Sequence, residues 1–153
     1  HSKDLALPGE RIGFVAVSPR CNDADELGEG LTFCNRTLGF VNAPALMQQI
    51  VRHLQDTTVD VLQYQDKRDL LHGALTDIGY SVVRPQGAFY MFPRAPTEDD
   101  VAFVDALRER RVLVVPGRGF GTPGHFRIAY CVEDATLKGA LEGFRAAFEQ
   151  FAA

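Results

Sequence analysis

Lys3 and Arg11 stand eight positions apart, with Pro8, Gly9 and Gly13 set around the arginine. A lysine amine whose pKa is lowered by burial attacks carbonyl carbons and forms Schiff bases. Such an amine must lie beside backbone that lets a flat cofactor approach closely, and Gly9 and Gly13 permit that approach. Arg11 offers a planar fork of donors suited to a phosphate. A lone lysine is ordinarily a solvated surface residue, so it is the neighbours that make Lys3 a candidate. Arg127, in His125-Phe126-Arg127-Ile128, is the second candidate. Its always-charged fork can grip a carboxylate in a fixed orientation, and a surface ion pair is the plain alternative. The run Gly117-Arg118-Gly119-Phe120-Gly121 has the look of a phosphate loop. No helix follows it as the nucleotide fingerprints require, so its glycines read as turn and close-approach positions.

The elements that must position these residues alternate in type. Arg11 to Ser18 is apolar and β-branched, ends at Pro19, and reads as a buried strand. The acidic, Gly-containing stretch from Cys21 to Gly30 reads as a loop or helix start, with a mixed helical segment from about Leu31 to Leu38. After the break at Phe40 to Pro44, a helix carries Met47, Ile50, Val51 and Leu54 on one face, with Pro44 in its first turn. Asp56 to Asp60 reads as a hinge. Val61, Tyr64, Leu71, Leu75 and Ile78 follow the helical period, and Gly79 stands just past the end. Tyr80 to Arg84 and Gly87 to Phe92 read as strands around a turn at Pro85-Gln86-Gly87. Thr97 can cap a helix from Glu98 to Arg110. Val112 to Val115 and His125 to Cys131 read as further strands. From Asp134 a last helix carries Leu137, Leu141, Phe144, Phe148 and Phe151 as an apolar stripe that must pack on the sheet. The order implies an α/β architecture.

The composition sets the outer bounds. With 153 residues, 46% hydrophobic and 24% charged, the chain can bury a real core. The net charge is −4 and the basic residues are scattered, which argues against nucleic acid as a partner. No apolar run approaches a membrane span. Cys21, Cys34 and Cys131 lie far apart and fit reduced thiols in a cytoplasmic protein. The four histidines are equally dispersed, so no metal site is expected.

The run Ser2-Lys3-x-x-x-x-Pro8-Gly9-x-Arg11-x-Gly13 resembles the lysine motif of fold-type I pyridoxal-phosphate enzymes, in particular the class I and II aminotransferases. Two more stretches are similar to the same family, in the same order. One is Pro85-Gln86-Gly87-Ala88-Phe89-Tyr90-Met91-Phe92-Pro93. The other is Val114-Val115-Pro116-Gly117-x-x-Phe120-Gly121, followed by His125-Phe126-Arg127-Ile128. The resemblance implies that Lys3 bears pyridoxal 5'-phosphate, Arg11 binds its phosphate, and Arg127 grips the substrate α-carboxylate. It implies that Gly87, Phe89 and Tyr90 line the substrate pocket, although the two aromatics serve a core at least as well. Arg36 falls where relatives reach a neighbouring subunit's site and would meet a distal carboxylate. In the aspartate-specific relatives, however, the arginine stands one position away.

The resemblance also implies an aspartate-aminotransferase-like fold. Residues 1–57 would be the tail of the large cofactor-binding domain and 58–153 the small C-terminal domain, a sheet covered by helices. The chain would be the C-terminal part of a longer, cytoplasmic, homodimeric enzyme that exchanges amino groups between an amino acid and a 2-oxo acid. The family's other cofactor contacts come from upstream of the lysine, so the isolated piece is expected to bind cofactor weakly and to be inactive. Two alternatives share the motifs: a pyridoxal-phosphate carbon–sulfur β-lyase and the cofactor-sensing domain of a transcription regulator.

Overall fold

The computed structural model describes residues 1–152. The chain divides into two compact units, His1–Val59 and Asp60–Ala153, two residues past the boundary expected from the sequence.

The first unit contains α1 (Ala24–Thr37) and α2 (Ala45–Arg52). Its core is small: Ile12, Met47 and Val51 are buried, with Leu5, Leu7 and Ala43 packed against them. The apolar face of α2 thus meets the opening segment of the chain. Pro44 occupies the N-cap position of α2 rather than its first turn. Helix α1 starts seven residues before the expected segment and has no buried residue. The strand expected over Arg11 to Ser18 does not form: 12–18 joins no ladder. A strand needs a neighbour for its backbone hydrogen bonds. Among the described residues of this unit no strand lies beside it, and Phe14 and Val15 are exposed.

The second unit is an α/β layer pair. Three helices, α3 (Val61–Ile78), α4 (Asp100–Glu109) and α5 (Asp134–Ala152), accompany the short strands β1 (Tyr90–Met91), β2 (Val115–Pro116) and β3 (Phe126–Ala129). The sheet is antiparallel in the order β1-β3-β2. Asp60 caps α3 by accepting from the Leu62 N–H, and Gly79 closes it at φ 118°. The cap of α4 is Asp99, not Thr97: its carboxylate accepts from the Ala102 N–H at 3.2 Å. Tyr80 to Arg84 joins no ladder; the Arg94 N–H donates to the Ser81 carbonyl and the Tyr80 N–H to the Leu75 carbonyl. Two of the other expected strands shrink to two residues each, because only those residues find a partner across the ladder.

The core lies between the sheet and the helices. Phe126 and Ile128 of β3 point into it, together with Leu71, Leu75, Phe103, Leu107 and Phe144. The stripe on α5 packs there as expected, although Val61 on α3 is exposed. Tyr80 is the hub. Its ring meets Phe126 at 5.7 Å and Phe148 at 4.8 Å, and its hydroxyl donates to the Phe144 carbonyl at 2.8 Å. Burial pushes that hydroxyl's pKa up.

Candidate active site

The opening segment is a closed loop. The His1 amino nitrogen donates to the Ile12 carbonyl at 2.7 Å, and the Leu7 N–H donates back to the His1 carbonyl at 3.2 Å. Leu5 and Leu7 anchor the loop to α2 through the small core. Lys3 and Arg11 therefore sit on one short closed turn, both exposed, with their backbone tied down from inside. Arg11 adopts φ 51°, a left-handed conformation for a non-glycine residue, and its Nη1 donates to the Pro8 carbonyl at 2.8 Å. Strain of this kind persists where the surroundings impose it. An amine and a guanidinium on the same side chain-bearing turn match an aldehyde and a phosphate. By donor chemistry they fit pyridoxal phosphate at two of its ends.

In the second unit the antiparallel register builds a different site. Tyr90 stands opposite Ala129, and Arg127 opposite Val115. Side chains alternate along a strand, so Phe126 and Ile128 enter the core while Arg127 and Ala129 take the other face. Tyr90 is the diagonal neighbour of Arg127 on that face. The Arg127 Cζ lies 4.6 Å from the Tyr90 ring centroid and 4.3 Å from that of Phe120. Phe92 and His125 stack beside this pair at 5.5 Å. None of the ion pairs among the described residues involves Arg127. Its guanidinium is steadied by the two aromatic faces.

The turn before β1 carries Gly87. It is exposed, and a Cβ there would meet nothing within 4 Å. The left-handed residue of this turn is Ala88, at φ 56°. The Tyr130 hydroxyl holds it, donating to the Ala88 carbonyl at 3.0 Å. Gly87 is thus not demanded by the packing of its own unit.

The sequence-derived residues fall into two groups. Lys3, Arg11 and Arg36 belong to the first unit, and Gly87, Tyr90 and Arg127 to the second. Within the second, Tyr90 and Arg127 touch. Arg36 is exposed in the last turn of α1, away from the small core of its unit. Phe120 was legible only as part of a motif, and its contact with Arg127 comes from the turn geometry. Nothing in the sequence marked Tyr130 or the fully buried Asp100.

The sequence profile of the family "Aminotransferase class I and II" matches residues 1–144. This chain is a class I and II aminotransferase chain. It is 32% identical to the probable aspartate aminotransferase of Methanocaldococcus jannaschii, over 97% of this chain and 41% of the relative. It is 34% identical to the aspartate aminotransferase of Bacillus subtilis, over 92% of this chain and 38% of the relative. The crystal structure of an amino transferase from Eubacterium rectale superimposes with a TM-score of 0.88 at 41% identity, covering 99% of this chain and 38% of that one. The aminotransferase chain therefore spans about two fifths of the length of these curated relatives, and its α/β architecture is that of the aspartate-aminotransferase fold. The family implies use of pyridoxal phosphate. Among the described residues, no helix is long and apolar enough to cross a membrane.

Proposed function

We propose that this chain is part of a cytoplasmic, homodimeric pyridoxal-phosphate aminotransferase that moves an amino group from an amino acid to a 2-oxo acid. The unit His1–Val59 would be the tail of the large domain, and Asp60–Ala153 the small domain. The observation that carries the reading is Arg127: a half-buried guanidinium against two aromatic rings, with no ion pair of its own among the described residues.

Lys3 and Arg11 would hold the cofactor, Lys3 through its Nζ and Arg11 at the phosphate. Bound pyridoxal phosphate supplies an electron sink for the electrons released at the substrate's Cα. Lys3 Nζ would serve as the base that takes up and gives back the proton at Cα. Arg127 would hold the α-carboxylate with paired N–H donors, so that the Cα–H bond keeps one orientation. Gly87 would let the substrate pass close to backbone, and Tyr90 would wall the pocket while it steadies Arg127. Arg36 would serve a distal carboxylate. Alone, the 153-residue chain would bind cofactor weakly and be inactive, because two contacts hold only part of the ring.

The test is steady-state kinetics of the whole protein. Arg127→Leu is expected to lower kcat/KM for an amino acid on the order of 10²-fold, with binding of the substrate's carboxylate lost. An unchanged value, or release of pyruvate and ammonia without transfer to a 2-oxo acid, would overturn the proposal.

A further inference from the structure

We infer that Asp100 and Arg118 form a positioning pair for Arg127: they fix the turn that lays Phe120 against its guanidinium. The inference rests on the reading of Arg127 as the carboxylate-binding residue.

Asp100, the first residue of α4, is fully buried, and is the one buried charged residue among those described. A buried carboxylate is costly unless its oxygens are satisfied. Arg118 satisfies both. Its backbone N–H donates to Oδ2 at 2.7 Å, and its Nε donates to Oδ1 at 2.8 Å. Its Nη2 lies 2.8 Å from the same Oδ1 and 3.4 Å from Asp99 Oδ1. Burial alone would push the Asp100 carboxyl up, but the hydrogen bonds from Arg118 outweigh it and hold the carboxyl below the usual range. Position at a helix N-terminus favours the same charged form.

Only the Asp100 side of this pair is buried, the Arg118 side chain being 52% exposed, and such a pair is weak evidence for stability. An attested use of such pairs is to specify one arrangement over others. Here the arrangement is the 3₁₀ turn Gly117–Phe120. Its start is pinned to the sheet, where the Gly117 N–H donates to the His125 carbonyl at 2.7 Å. A Cβ on Gly117 would collide with the carbonyl oxygens of Thr122 and His125. Its middle is pinned to α4 through Asp100. Phe120 follows two residues later, its ring 4.3 Å from the Arg127 Cζ and edge-on to Phe92 at 6.2 Å. With no carboxylate ion-paired to Arg127 among the described residues, the rings of Tyr90 and Phe120 set the plane of its fork. Loss of the Arg118 side chain leaves only its backbone N–H on Asp100, which loosens the turn and lets the Phe120 ring leave the guanidinium.

The experiment uses the whole protein with Arg118→Ala, Asp100→Asn, Phe120→Leu and the double change Arg118→Ala/Phe120→Leu. Loss of one ring contact should raise KM for the amino acid roughly five- to tenfold, with kcat within about twofold. Because Arg118 acts through Phe120, the double variant should add less than about twofold to either single change. The NMR signal of the Arg127 Nε–H, displaced by the two rings, should move toward that of a solvated arginine in Arg118→Ala. An unmoved signal, or effects that multiply in the double variant, would overturn the inference. Arg118 is exposed, so its variant decides the matter if Asp100→Asn fails to fold. Arg127→Leu separates the two claims. If it leaves KM unchanged, the carboxylate reading fails and the Nε–H signal alone judges the positioning pair.

Discussion

At the scale of single residues, the two sites differ in how their charges are held. Arg127 is oriented by aromatic faces, an interaction that keeps the charge available at the edge of the plane. Lysine in its place keeps the charge and loses the fork, so Arg127→Lys should recover only a minor part of what Arg127→Leu loses in kcat/KM. Equal activity of Arg127→Lys and the parent would count against a paired hydrogen-bonding role. Tyr80 gives a structural counterpart. Tyr80→Phe removes the hydroxyl that donates to the Phe144 carbonyl and should cost about 0.5–1.5 kcal/mol in urea unfolding. Arg127 was legible because its motif names it, whereas Asp100 reads as one acid among three at a helix start, Glu98-Asp99-Asp100. Which of the three turns inward depends on where the Gly117 turn crosses α4, and that is set by tertiary packing.

At the scale of elements, α3 and the segment that follows it are joined through Asp69. Its carboxylate accepts from Arg68 Nε at 2.8 Å and from Arg84 at 2.8 and 3.0 Å, while Arg68 Nη1 also reaches the Pro85 carbonyl. The hydrogen bond from Arg68 leads the effects that lower the Asp69 carboxyl to about 2, with Arg84 adding to it. A carboxyl depressed in the folded state contributes stability in full above its unfolded value, about 3.9. That contribution is lost as pH falls through about 2. Asp69→Asn should therefore flatten the decline of the urea midpoint between roughly pH 4 and 2, and curves of equal slope would refute it. The helices were the legible elements. The stripe at Leu137, Leu141, Phe144, Phe148 and Phe151 repeats at the helical period and packs on the core. The strands were not, because pairing depends on partners distant in sequence. Arg11 to Ser18 has a strand's composition and no neighbour, while β2 is paired although it contains Pro116.

At the scale of the whole molecule, the two units carry very different cores. The second buries an aromatic cluster in which Leu75 and Phe103 are fully enclosed, so Leu75→Ala should cost about 2–5 kcal/mol. The first buries three residues, and α1 buries none. Amide exchange in α1 should accordingly be far faster than in α3 and α5. Comparable protection in α1 would contradict this. Covalent trapping tests whether Lys3 carries the cofactor. Of the chain's three lysines, Lys67 donates to the Val132 carbonyl at 2.7 Å, and Lys138 lies on the surface of α5. The whole protein, loaded with pyridoxal phosphate, is reduced with borohydride and its peptides are weighed. The phosphopyridoxyl mass is expected on the peptide containing Lys3. Its absence there, with label on Lys67 or Lys138 or on neither, would show that Lys3 does not carry the cofactor.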